Sequence, residues 1–109
     1  MATETTTRPG IGEQEQTGDS FEPLYHLILL DDDEHTYQYV VVMLNRIFGY
    51  APEKGFAIAC VVDSQGQAIV MTGPKDEVLE KQRAIHSFGA DPWMPTSKGS
   101  MTAIIEPAR

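Results

Sequence analysis

Four consecutive carboxylates, Asp31-Asp32-Asp33-Glu34, followed directly by His35, are the residues of this chain best suited to chemistry. Like charges in a row repel one another, so packing alone gives no reason to collect them. Four readings of the cluster stand side by side: a solvated polar stop to a buried strand, a divalent cation site, a pair of carboxylates working as acid and base, or a receptor for a cationic group such as an amine. A calcium loop alternates its carboxylates around a sharply turning Gly, which this run lacks. No nucleophile elbow or phosphate loop accompanies the carboxylates, which weighs against catalysis. The single cysteine, Cys60, lies in the apolar stretch Ile58-Ala59-Cys60-Val61-Val62 with no cation beside it, the setting of a buried structural thiol rather than a nucleophile. Among His26, His35 and His86 no pair falls within one helical turn of another ligand on a single helix or strand, so their spacing predicts neither a metal site nor a cofactor. His35, two residues after Asp33, is read as a residue of a helix start that could also reach a ligand.

The elements that must position these groups are legible from periodicity. Tyr25 to Leu30 is an apolar run ending at the acidic loop, the pattern of a buried strand. Tyr37, Val40, Val41, Leu44, Ile47 and Phe48 then fall on one stripe of a helix, with Gly49 where a left-handed cap belongs. Pro52 and Glu53 suit the first turn of a second helix, whose inner face is read as Phe56, Ala59, Cys60 and Val62 or Asp63, before a turn Asp63-Ser64-Gln65-Gly66. Gln67 to Thr72 reads as the second strand. Gly73-Pro74 opens a third helix with Val78, Leu79, Gln82, Ile85 and Phe88 along one side and Gly89 at its end. Ala90 to Ser100 is a loop, and Met101 to Ile105 a last short strand. The order βααβαβ predicts a two-layer α+β domain, a three-stranded antiparallel sheet packed on three helices.

With 109 residues the chain holds one domain and little more. Eight Lys and Arg against sixteen Asp and Glu give a net charge of −8, the wrong sign for neutralising phosphates, so neither nucleic acid nor an anionic membrane surface is expected as a partner. No apolar run approaches the roughly 20 residues of a spanning helix, and Met1 to Arg8 lack the apolar core of a signal peptide, which predicts a cytoplasmic protein. One cysteine excludes an internal disulfide and a multi-cysteine zinc cluster. Residues 1 to 23 contain only Met1, Ala2, Ile11 and Phe21 as apolar side chains, and are expected to form a flexible acidic tail ahead of a domain at 24 to 109. No exposed apolar stripe is evident, so a monomer is expected.

The run Leu24-Tyr25-His26-Leu27-Ile28-Leu29-Leu30-Asp31-Asp32-Asp33, followed by a helix ending in Ile47-Phe48-Gly49-Tyr50, resembles the ClpS adaptor family, whose first strand ends in Asn-Asp-Asp. Gln65-Gly66-Gln67-Ala68, Glu77-Val78-Leu79-Glu80 and Ile104-Ile105-Glu106 resemble later segments of the family in the same order. The resemblance implies an adaptor without catalysis of its own, which holds the N-terminal residue of a substrate protein (an N-degron) and delivers it to a Clp AAA+ unfoldase. By position it assigns Asp31, Asp32 and Asp63 to the α-amino group. Asp31 stands where the family has Asn, and Asp63 where it has His. Carboxylates remain competent acceptors for an ammonium with three donors. The resemblance also assigns Leu29, Tyr37, Val40, Ala59, Val62 and Met101 to the pocket for the first side chain, positions that equally suit an ordinary core. Glu77, Lys81, Gln82 and Arg83 on the third helix are implied in docking to the N-terminal domain of the Clp ATPase. Two alternatives accompany this reading: a Clp-binding regulator whose pocket has been lost, and a small acidic metal-binding domain using Asp31, Asp33, Asp63 and His35. The long loop Asp91 to Ser100 offers Trp93 and Met94 either as a cover for the core or as an exposed anchor.

Overall fold

The computed structural model describes residues 22–108. The expected tail therefore lies outside the described residues except for Glu22 and Pro23, which are exposed. The elements run β1 (Leu24–Leu30), α1 (Tyr37–Phe48), α2 (Pro52–Gln65), β2 (Gln67–Pro74), α3 (Lys75–His86) and β3 (Ala103–Pro107). This is the predicted βααβαβ order, with a three-stranded antiparallel sheet in the order β2-β1-β3. β1 is the central strand, and Leu27 and Leu29 on it are fully buried. A bulge lies between Leu27 and Ile28 in the pairing with β2, whose partners step from Met71 to Ile69.

Each helix starts and stops for local reasons. The Thr36 side chain accepts from the Tyr39 N–H at 3.1 Å and caps α1, and Gly49 ends it at φ 75°, a conformation that suits a residue without a Cβ. The buried face of α1 is Tyr39, Val40, Met43 and Leu44. Tyr37, read from periodicity as part of the inner stripe, is 37% exposed because it sits at the first turn, beyond the edge of the core. Gly55 lets α2 approach α1 closely: a Cβ there would meet Val41 Cα at 3.2 Å. α2 runs to Gln65, through the turn expected at Asp63, and buries Gly55, Ala59 and Val62. Phe56, expected on that inner face, is 53% exposed and packs instead on the Tyr37 ring, centroids 5.4 Å apart. Cys60 is half-buried rather than fully buried.

β3 begins at Ala103, two residues later than expected, which leaves Met101 just ahead of the strand, buried at 3% exposure. α3 is tied to β3 by Gln82, whose Nε2 donates to the Ala103 carbonyl at 2.8 Å, and by His86, whose Nε2 lies 3.0 Å from the Ala103 N–H that donates to it. The 90–100 segment has no helix or strand. It folds around Asp91, which is 3% exposed, and Trp93 in it is 47% exposed while lining a groove of about 290 Å³ with Tyr39, Val42 and Phe88.

Candidate functional site

β1 delivers the acidic loop to a defined place. The Leu30 N–H donates to the Thr102 carbonyl at 3.0 Å and the Asp31 N–H to the Gly66 carbonyl at 2.9 Å, so the end of β1 is pinned between the approach to β3 and the end of α2. Gly66 caps α2 at φ 87°, which brings Asp63 in the last helical turn close to the loop. α2 has no basic residue in that last turn. A carboxylate beside the negative end of a helix dipole is unfavourable, by about 0.3–1 kcal/mol, and a cation bound there would be favourable.

These contacts enclose a cavity of about 60 Å³ lined by Asp31, Asp32, His35, Thr36, Tyr37, Val40, Ala59, Val62, Asp63 and Met101. Eight of the nine residues assigned to the amine and the first side chain line it; Leu29 does not, because it is fully buried in the core behind. The floor is apolar, with Val40, Ala59, Val62 and Met101 each at most 4% exposed, while Asp31, Asp32 and Asp63 are exposed at the mouth. The Tyr37 hydroxyl donates to Asp63 Oδ2 at 2.7 Å, which narrows the opening. That bond, desolvation, and the nearby negative charge push the Tyr37 phenol up to about 12.

His35, read as a helix-start residue that could also reach a ligand, lines the cavity, and so does Thr36, which the sequence does not assign to it. His35 Nδ1 lies 2.8 Å from Asp32 Oδ1 and its Nε2 lies 2.7 Å from the Gly99 carbonyl oxygen. The Glu34 N–H also donates to Asp32 Oδ1, at 2.9 Å. Thr36 donates to Asp91 Oδ2 from its N–H at 2.6 Å and from its hydroxyl at 2.9 Å, and the Trp93 N–H donates to Asp91 Oδ1 at 2.7 Å. Burial alone would raise the Asp91 carboxyl, but these donors and the charge of His35 outweigh it and hold Asp91 below the ordinary carboxylate range. The only sequence signals for this network were the adjacency of His35 to the acidic run and the unusual length of the 90–100 loop. Asp33 does not line the cavity, and among the described residues no group of three or more His, Cys, Asp or Glu converges as a metal site would.

On α3 the four docking candidates divide. Glu77 and Arg83 are exposed. Lys81 Nζ donates to the Ile47 carbonyl at 2.9 Å at the end of α1, and Gln82 is bound to β3 as described, so both serve the fold.

The sequence model of the family "ATP-dependent Clp protease adaptor protein ClpS" matches residues 20–95. The chain belongs to the ClpS family. It is 32% identical over 76 residues to the ATP-dependent Clp protease adapter protein ClpS of Aromatoleum aromaticum, covering 70% of this chain and 74% of that protein. It is 31% identical over 62 residues to the ClpS of Rhodococcus jostii, covering 57% of this chain and 55% of the relative. Among solved structures, Agrobacterium tumefaciens ClpS2 bound to L-phenylalaninamide matches with a TM-score of 0.68 at 23% identity, over 79% of this chain and 98% of that one, a likeness of fold. The ClpS match ends at residue 95, within the loop that carries Trp93, so Met101 in the cavity lining and the Gly99 carbonyl that meets His35 lie beyond the matched segment.

Proposed function

We propose that this ClpS-family adaptor holds the free N-terminal residue of a substrate protein and passes that substrate to a Clp AAA+ unfoldase. The carrying observation is the meeting of an acidic mouth with an apolar floor in one cavity at the C-terminal end of α2. An α-ammonium has three donors and a charge, and Asp31, Asp32 and Asp63 are acceptors set where a helix dipole also favours a cation. The first side chain enters among Val40, Ala59, Val62 and Met101, with Tyr37 at the rim. The adaptor domain spans 24–109, acts as a cytoplasmic monomer, catalyses nothing itself, and meets the N-terminal domain of the unfoldase through Glu77 and Arg83. The test is fluorescence anisotropy of peptides beginning with Leu, Phe, Tyr, Trp or Met against their N-acetylated copies. Binding tighter than about 100 μM that needs the free amine supports the reading, and its absence for every peptide would reject it.

One observation favours a second reading, a Clp-binding regulator that takes no large N-terminal residue. An engineered cavity of about 150 Å³ admits benzene, and the cavity here is about 60 Å³ with the Tyr37–Asp63 bond across its mouth. Pull-down of the Clp unfoldase without any amine-dependent peptide binding would select this reading.

A further inference from the structure

We infer that His35 is the positioning residue of the amine site: a buried imidazolium that fixes the Asp32 carboxylate with one ring N–H and the 90–100 segment with the other. This deepens the proposed function and rests on it. The His35 side chain is 3% exposed, against 34% for Asp32. Its Nδ1 lies 2.8 and 3.0 Å from the two Asp32 oxygens, and its Nε2 lies 2.7 Å from the Gly99 carbonyl oxygen. A neutral imidazole has one N–H and one lone pair, so with a carboxylate on one side and a carbonyl on the other, one contact would set a lone pair against an oxygen. With hydrogen on both nitrogens, both contacts are hydrogen bonds, and the one to Asp32 is charge-assisted.

The remaining neighbours of the ring suit a cation. Asp91 carries its charge nearby and is held below its ordinary range partly by His35. The Tyr39 ring centroid lies 4.6 Å from that of His35, within the range at which an aromatic face attracts a cation. Ser97 Oγ, 3.4 Å from Nε2, accepts from the Asp91 N–H at 2.9 Å and adds an oxygen on the same side. The consequence for binding is twofold. The imidazolium offsets repulsion among Asp31, Asp32 and Asp63 in the empty site, and it holds Asp32 in one orientation before a ligand arrives, which removes an ordering cost from association. Two internal donors, His35 and the Glu34 N–H, still leave Asp32 acceptor capacity for an ammonium, since a carboxylate offers about four lone-pair sites.

The test is a double-mutant cycle on the full chain, reading anisotropy of a labelled peptide that begins with Leu and of its N-acetylated copy. His35→Asn is expected to weaken free-amine binding about tenfold in the native background and less than twofold in Asp32→Asn, because a residue that acts through Asp32 has nothing left to position. Equal weakening in both backgrounds would overturn the positioning role while leaving the amine site standing. A native protein that binds neither peptide, or binds both alike, overturns the amine site and the role of His35 together. A second measurement needs neither a variant nor a ligand: nitrogen-15 NMR of the His35 ring near neutral pH is expected to show both nitrogens protonated. A single protonated nitrogen overturns the inference.

Discussion

The mouth of the cavity and the outer face of α3 were both assigned by matching positions to a family pattern, and the fold treats them differently. At the mouth, residues from β1, α1, α2 and the approach to β3 meet because backbone bonds leave them no other place: Asp31 is pinned to Gly66, and Asp63 lies one turn before that same glycine. On α3, Lys81 and Gln82 lie on an accessible helix, yet their long side chains reach past it to Ile47 and Ala103. A short carboxylate on a pinned backbone has its location dictated by topology. A long side chain on a helix face follows whichever acceptor lies within reach, and sequence position says little about which.

The largest expected effect breaks the comparison at the mouth. Asp32→Ala removes an ionised acceptor and leaves His35, 3% exposed, without its carboxylate partner. Hydrogen bonds to charged groups contribute about 1.5–3 kcal/mol, so free-amine peptide affinity is expected to fall on the order of a hundredfold, measured by anisotropy. An unchanged affinity would move the amine elsewhere and leave the mouth no better supported than α3.

Asp91 tests whether the loop supports the mouth. Asp91→Ala leaves the Thr36 N–H and hydroxyl and the Trp93 N–H without their acceptor, in a place where the residue is only 3% exposed. A loss of about 2–3 kcal/mol is expected in urea denaturation. Because the folded Asp91 carboxyl lies below its unfolded value, its contribution is present above the ordinary carboxylate pKa and is lost as pH falls through the lower folded value. The native protein should therefore lose stability in acid below about pH 4 more steeply than Asp91→Asn, followed by melting temperature against pH.

Much of the fold can be read from the sequence, for reasons that are local. The apolar run of β1, the Gly49 cap and Pro52 at a helix start each act within a few residues, whereas Gly66, read as the end of a turn at 63–66, caps a helix that continues to Gln65, and Asp31, Val40, Ala59 and Asp63 are grouped only by resemblance to the family. What sequence misses depends on distant partners. His35 is defined by Gly99, 64 positions away, and Thr36 by Asp91, 55 positions away. Phe56 looks like a core residue by spacing and is drawn outward by the Tyr37 ring. Met101 reaches the cavity although the strand begins two residues later, and Leu29 shares the apolar character of the pocket while lying behind it. Alternation of apolar residues reports which way a side chain faces, and a cavity is a gap between elements that alternation does not encode.

On α3 the comparison sharpens into a separation of stability from docking. Gln82→Ala removes a bond to Ala103 and is expected to lower stability by about 1 kcal/mol. Glu77→Ala and Arg83→Ala, at exposed positions, should change stability by no more than about 0.5 kcal/mol while weakening Clp unfoldase capture in pull-down. If Gln82→Ala alone weakened capture at unchanged stability, the division of this helix into inward and outward residues would be wrong.

The smallest effect lies at the rim and concerns the one polar bond that narrows the cavity. The Tyr37 phenol is raised from 10.0 to about 12, first by its bond to Asp63. A raised folded pKa means that the contribution of the protonated phenol is fully present below the unfolded value near 10 and disappears as pH rises through 12. Across the physiological range the bond is therefore constant, and any pH dependence of peptide binding there must come from other groups. Ultraviolet titration should show one tyrosine ionising near 12, returning toward 10 in Asp63→Asn, whose amide lacks the charge that opposes a phenolate. A tyrosine that stays near 12 in that variant would assign the shift to desolvation alone, and the rim of the cavity would then be held by the packing of Tyr37 on Phe56 rather than by its bond to Asp63.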